Sequence, residues 1–175
     1  MEQEKNIILV TWDFTEKSEF ALEHAILAVK KLKCGIGLVH IVKKDSEILA
    51  AEERIRGAIA SKYPDLDPKP FPIVRHGNIF TTISDLANEL EARLVCMGTH
   101  GIKGMQKFLG SWALKVIAHT KVPFIVVQDK PQRENYKDIV IPITFRKENK
   151  ECINWVNYFS KFFGSHFHIF KAKHT

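Results

Sequence analysis

Residues 97–111 read MGTHGIKGMQKFLGS; the apolar run Leu94-Val95-Cys96 stands before them and WALKVIAHT after them. Four glycines (98, 101, 104 and 110) fall in this stretch, with Lys103 and Lys107 between them and a Gly110-Ser111 pair at its end. A short apolar run, a glycine-rich turn and an amphipathic segment together predict a buried strand that feeds a helix, the unit of a parallel α/β sheet. Such a loop leaves the carboxyl end of its strand, the side on which α/β sheets bind ligands. Backbone N–H groups and a helix N-terminus can cradle an anion there. The same composition also suits a flexible turn, and the pattern GxxxxGK[ST] of a Walker A loop is absent. The sequence leaves both readings of the loop open.

Outward from this loop, strands and helices alternate. IILV at 7–10 predicts a first buried strand. A helix runs from a cap at Asp13 or Thr15 to about Lys33, with Phe20, Ala21, Ala25, Ala28 and Leu32 at helical spacing and Gly35 as its stop. IGLVHIV at 36–42 is the second strand, and residues 46–62 form a second helix closed by Tyr63-Pro64. Prolines at 64, 68, 70 and 72 make an extended connection into a third strand, FPIVRHG. Asn78 caps a third helix through Glu91, whose inner face carries Ile79, Ile83, Leu86, Ala87 and Leu90. LVCM at 94–97 is the fourth strand, 111–120 the fourth helix and VPFIVV at 122–127 the fifth strand. The expected fold class is α/β, a five-stranded parallel sheet with helices on both faces.

Residues 129–137 are polar and read as a linker. Beyond them the chain repeats its own beginning. A gap-free shift of 131 residues sets NIILVTWDF (6–14) on KDIVIPITF (137–145), and LVHI (38–41) on IFKA (169–172). It also sets Ala21, Leu22 and Ala25 on Cys152, Ile153 and Val156. Residues 138–175 are therefore expected to be the first βαβ of a second copy of domain 1–128, from a tandem protein or a degenerate gene product.

Composition narrows the function classes. No apolar run approaches the roughly 18 residues of a membrane helix, and the opening MEQEKN lacks a signal peptide's build. Cys34, Cys96 and Cys152 are widely spaced with no CxxC, so reduced thiols and a cytoplasmic location are expected. Residues 1–129 carry 17 Lys/Arg against 16 Asp/Glu, a net +1, whereas 130–175 carry 9 against 4, a net +5. No nucleic-acid motif accompanies that basic tail, which reads first as a solvated surface, and no membrane partner is implied.

The combination of D-F-[ST] after strand one (Asp13-Phe14-Thr15), LVH-I in strand two and MGTHG…GS…VPFIVV near the end resembles the universal stress protein family, in its UspA-like form, over residues 5–128. The resemblance implies an adenine nucleotide alpha hydrolase-like sheet, a homodimer through strand 122–127 or the C-terminal fragment, and a role as a stress-response regulator with an unnamed partner protein. One branch of the family binds ATP, with or without Mg, through G-x2-G-x9-G-[ST]; the other binds none. Here Gly98-x2-Gly101 and Gly110-Ser111 match, but eight residues rather than nine lie between them. By resemblance Asp13 would stand near the base or ribose, Ile41 would present its backbone to the adenine, and Gly98 would approach the ribose. Gly101, Gly110 and Ser111 would surround the phosphates, and His100 stands in the loop within reach of a ligand.

Plainer readings stand beside these. Asp13 is equally a helix cap, Ile41 a strand residue and His100 a turn histidine. His40 in its apolar strand reads as a hydrogen-bonded core histidine, and Trp12 as core or as a stacking surface. His166-x-His168 sets two imidazoles on one strand face, yet no third metal ligand is evident, so no metal is expected. Two functions remain: an ATP-binding dimeric regulator, or a dimeric adaptor of the same fold that binds no nucleotide. No paired carboxylates and no nucleophile beside a base flank the loop, so an enzyme ranks below both and any ATP hydrolysis would be slow.

Overall fold

The computed structural model describes residues 6–99, 117, 119–120, 122–143 and 150–171. They fall into two units, divided between Pro131 and Gln132. In the first, β1 (Ile7–Thr11), β2 (Gly35–Val42), β3 (Phe71–His76), β4 (Leu94–Gly98) and β5 (Phe124–Val127) form one sheet of order β3-β2-β1-β4-β5. Every neighbouring pair is parallel. The helices are α1 (Glu16–Leu32), α2 (Ile48–Lys62) and α3 (Ile79–Glu89). The sequence predicts this sheet, its order along the chain and its direction.

The apolar runs are strands because both faces are covered. Ile7, Ile8, Leu9 and Val10 are each 0% exposed, which a one-faced strand would not allow. Ile7 and Leu9 join Val39, Ile73, Val95 and Met97 in a core with Ile83, Leu86 and Ala87 of α3. By strand alternation Ile8 and Val10 serve the opposite face, the side of α1, whose Ala21, Leu22, Ala25 and Ala28 are fully buried.

One cap is decided between the two the sequence offers, and two boundaries differ from the sequence reading. Thr15, not Asp13, caps α1: its hydroxyl accepts from the Ser18 N–H, which in a typical case stabilises a helix by about 1 kcal/mol. Lys33, not Gly35, ends the helix, in the left-handed region at φ 51° with its N–H on Val29 O at 2.9 Å. Gly35 is already the first residue of β2. The second predicted helix also begins later, because residues 45–47 form a single 3-10 turn ahead of α2. The predicted fourth helix, 111–120, lies outside the described residues apart from Ile117, His119 and Thr120.

The first turn of α1 lies hard against the end of β4. A Cβ on Gly98 would stand 2.1 Å from Lys17 O and 2.4 Å from Lys17 C, so only glycine fits there. Lys17 Nζ donates to Gln128 O at 2.7 Å, just past β5. Further along the helix, His24 Nε2 meets Asp129 O at 3.1 Å and ties the same chain end to α1. Burial is the main influence on His24 and lowers its pKa from 6.5; the bond to Asp129 and the charge of Glu23 act the other way. Cys34 and Cys96 are buried and free, and burial pushes the Cys34 thiol up to about 11.

The second unit holds β6 (Asp138–Ile143), α4 (Lys150–Phe163) and β7 (His166–Lys171), with β6 and β7 parallel. Its geometry repeats that of the first unit at the offset read from the sequence. Asp138 pairs with His166 as Ile7 pairs with Gly35, and each later pair keeps the 131-residue shift. Gly164 (φ 62°) donates to Ser160 O and ends α4 just as Lys33 ends α1. The His166 N–H bonds Lys137 O where the Gly35 N–H bonds Asn6 O. Packing differs, however. Tyr136, Phe159 and Phe163 make an aromatic cluster with ring centroids 5.3–6.1 Å apart, while Ile153 is 58% exposed where its counterpart Leu22 is 0%.

Two measurements probe this packing. Gly98→Ala forces α1 away from β4 and should destabilise the chain by about 1–3 kcal/mol in urea unfolding, as overpacking does; an unchanged midpoint would refute the close contact. Because the folded His24 pKa lies below the unfolded value of 6.5, the folded chain binds fewer protons. Its share of stability is complete above that value and drains as pH falls through the folded pKa. The melting temperature of the wild type should therefore drop more steeply between about pH 7.5 and 5 than that of His24→Gln. Equal slopes would rule out the His24 contribution.

Candidate functional site

β1 and β4 are neighbours, with β2 and β3 to one side of the pair and β5 to the other. α1 follows β1 on one face, while the return to β4 uses α3 on the other, which makes their carboxyl ends the switch point of the topology. Asp13 lies just past β1, Ile41 is the penultimate residue of β2, and Gly98 is the last residue of β4. Three of the seven sequence-predicted site residues are thus gathered at one end of three adjacent strands. His100, Gly101, Gly110 and Ser111 lie outside the described residues.

Asp13 is exposed and makes a tight turn. Its Oδ1 accepts from both the N–H (3.0 Å) and the hydroxyl of Thr15. Thr15 in turn caps α1, so the carboxylate supports the cap from outside. Among the described residues Oδ2 accepts no hydrogen bond, leaving one lone-pair-rich oxygen toward solvent at the strand ends. That oxygen suits a hydroxyl or amine donor.

Ile41 is half-buried and packs on the core around Leu9 and Val95. Its peptide groups matter more. The Trp12 N–H bonds Val39 O at 2.7 Å and the Gly77 N–H bonds Val42 O at 3.3 Å, so odd residues of β2 face β1 and even residues face β3. The pairing of β1 with β2 ends at Thr11 and Val39. The N–H and C=O of Ile41 therefore turn toward the side of β1 beyond the point where β1 has left the sheet. A donor and an acceptor so oriented can pair with the edge of a heterocycle.

Gly98 has a second reason to be glycine. Its missing Cβ makes room for the first turn of α1, whatever a ligand requires. Thr99, next in the chain, is buried, and its N–H bonds Val127 O at 2.8 Å, which holds the start of the loop against β5.

Beside the same strand ends Trp12 and His40 meet Phe14, whose contact with Arg54 the sequence reading missed. Phe14 has φ 65°, an unusual conformation for a bulky side chain, and such strain costs on the order of 1–3 kcal/mol. Its ring is covered by the Arg54 guanidinium of α2 at 3.7 Å, meets the His40 ring edge-on at 5.2 Å and lies 6.2 Å from Trp12. His40 Nδ1 lies 2.7 Å from Trp12 O and donates to that carbonyl. His40 is the hydrogen-bonded histidine the sequence suggests. Trp12 is 4% exposed, and its Nε1–H is buried without a hydrogen-bond partner among the described residues. Forty residues separate Phe14 from Arg54, so no local pattern could announce their contact.

His166 and His168 lie on β7 of the second unit with Asp138 opposite. Among the described residues no cluster of three or more His, Cys, Asp or Glu could hold a metal ion. No helix among them is long and apolar enough to cross a membrane.

Comparison with known proteins matches this geometry. The universal stress protein family model matches residues 5–128. A universal stress protein UspA from Lactobacillus plantarum superposes with a TM-score of 0.58 at 19% identity, covering 71% of this chain and 98% of its own. A universal stress protein from Archaeoglobus fulgidus DSM 4304 has a TM-score of 0.66 at 18% identity and covers 99% of this chain and 69% of its own. Another from Archaeoglobus fulgidus, in complex with dAMP, has a TM-score of 0.51 at 20% identity, covering 70% of this chain and 97% of its own. No protein of curated function matches the sequence. With the family model spanning the whole five-stranded unit and solved members repeating its sheet, the chain belongs to the universal stress protein family.

Proposed function

We propose that this universal stress protein is a stress-response regulator that binds an adenine nucleotide at the carboxyl ends of β1, β2 and β4 and acts through a partner protein. The observation that carries the reading is the convergence of the open oxygen of Asp13, the backbone of Ile41 and the start of the loop at Gly98. This set suits a nucleoside: a carboxylate for ribose hydroxyls and a strand-end peptide for a base edge. The loop 98–111 would take the phosphates, with Gly101, Gly110 and Ser111 as its contacts and His100 beside them. The dAMP complex of a relative with the same fold favours adenine as the base. ATP, with or without Mg, is the ligand to test first, and its binding rather than its turnover is the activity.

One observation favours the second reading, an adaptor without nucleotide. The interval between Gly101 and Gly110 is one residue shorter than in the ATP-binding motif, so the Gly-Ser pair could be re-aimed. Calorimetric titration with Mg-ATP separates the two. At ligand near 100 times its dissociation constant the chain should gain about 2.7 kcal/mol in stability. Gly101→Val should abolish the heat of binding while leaving the wild-type melting temperature without ligand. No heat and no melting shift at millimolar Mg-ATP would leave the adaptor.

Assembly belongs to the same proposal. β5 is an edge strand, apolar and uncharged, with Val126 42% exposed. Such an edge favours pairing with a second chain across a two-fold axis. Residues 138–175 are read as the opening βαβ of a second copy, which offers further contacts between chains. Light scattering should give a dimer that Ile125→Lys splits. A 20.1 kDa species for the wild type would exclude it, and a dimer untouched by the substitution would move the interface to the second unit.

A further inference from the structure

Phe14 is a bulky residue held at φ 65°, a region that suits glycine, asparagine or aspartate. It is the middle residue of the turn in which Asp13 Oδ1 accepts from the Thr15 N–H and hydroxyl. Letting φ fall below zero would carry the Thr15 donors away from that oxygen and free the carboxylate to rotate. The outward aim of Asp13 Oδ2 therefore depends on whatever keeps residue 14 in the left-handed region. The helix that follows does not need these bonds. It has its own cap, Thr15 Oγ1 on the Ser18 N–H, and its own seat, Lys17 against Gly98.

The phenyl ring supplies the hold. Its seat on the strand side is fixed by two rings: Trp12, which is buried, at 6.2 Å, and His40 edge-on at 5.2 Å. His40 is itself anchored, its Nδ1 donating to Trp12 O at 2.7 Å. The outer cover is Arg54 of α2, whose guanidinium carbon lies 3.7 Å from the ring centroid. A planar guanidinium can stack on a ring as a lysine ammonium cannot. Arg54 is exposed, and among the described residues it makes no hydrogen bond or ion pair, although Glu52 and Arg56 on the same helix pair with each other. The ring of Phe14 is thus the one contact that fixes this side chain among the described residues.

We infer that Arg54 is a positioning residue for Asp13: stacked on Phe14, it holds residue 14 in the left-handed conformation that aims the free Asp13 oxygen at the ribose hydroxyls of a nucleoside. The inference rests on the reading of Asp13 as a nucleoside contact. Arg54 acts through the ring and not on the ligand. A nucleoside without phosphates therefore feels the loss of Arg54 as ATP does, whereas a phosphate chain held by loop 98–111 does not.

The test uses the full chain, NMR exchange of the Thr15 amide, and titration with two probes, adenosine and inorganic triphosphate. Arg54→Ala, at an exposed helix position, should speed Thr15 exchange about two- to fivefold, the value of one exposed cation–π contact. Adenosine should weaken by up to the same factor, and triphosphate should bind as it does to the wild type. Adding Phe14→Gly to Arg54→Ala should bring Thr15 exchange back toward the wild-type rate, because glycine adopts positive φ with no ring to hold it there. A merely structural contact would give the opposite result, since the double variant has lost more packing. Unchanged Thr15 exchange in Arg54→Ala would overturn the inference, even with adenosine weakened, because Arg54 would then touch the ligand directly. So would faster exchange still in the double variant, or equal weakening of both probes. A wild type that binds neither probe would remove the nucleotide reading, and the exchange rates of the two variants would still decide whether Arg54 holds the turn.

Discussion

The contact between Gly98 and the backbone of Lys17 sets the geometry of the first unit. A helix rarely comes so near a strand that no methyl group fits between them, and here it does so at the end of β4, beside the turn that begins α1. Because α1 is seated there, the Asp13–Thr15 turn is held over the strand ends rather than swung into solvent. For the same reason Lys17 and His24 can reach the chain just past β5. One constraint of sterics thus orients a carboxylate, the root of the glycine-rich loop and the exit of the edge strand.

Much of this was legible in the sequence, because parallel sheets write strong local signals. Apolar runs with both faces buried, such as Ile7 to Val10, cannot be mistaken for surface strands, and α1 carries a clean apolar stripe. Boundaries were read less well. Gly35 looked like a helix stop, but Lys33 adopts the left-handed conformation itself and frees the glycine to begin β2. Asp13 and Thr15 could not be ranked as caps from composition alone, because the answer lies in which oxygen the Ser18 N–H meets. Contacts across long separations, Arg54 on Phe14 or Lys17 on Gln128, left no trace in any local pattern. Of the candidate site, the residues on or next to strands were located by the regularity of the sheet. Those of the loop had only the spacing of glycines to speak for them.

The second unit shows how backbone and side chains can diverge within one repeated motif. Its strand register, helix stop and entry bond all match those of the first unit. These features depend on chain length and on a left-handed residue, which the shift preserves. The burial pattern does not match, because it depends on what covers each face. Ile153 and Leu22 occupy the same step of the same motif and differ from 58% to 0% in exposure. Backbone geometry can stand without the core that accompanies it in the first unit.

The two buried thiols of the first unit have a chemical consequence. With the Cys34 thiol pushed up to about 11, only about one molecule in ten thousand would carry the thiolate at pH 7, and burial raises Cys96 further still. Peroxides and electrophiles attack thiolates, so both sulfurs are insulated from the oxidants that accompany many stresses. At these two positions the thiols therefore react slowly with oxidants, and the sheet that buries them holds no disulfide for a reductant to break.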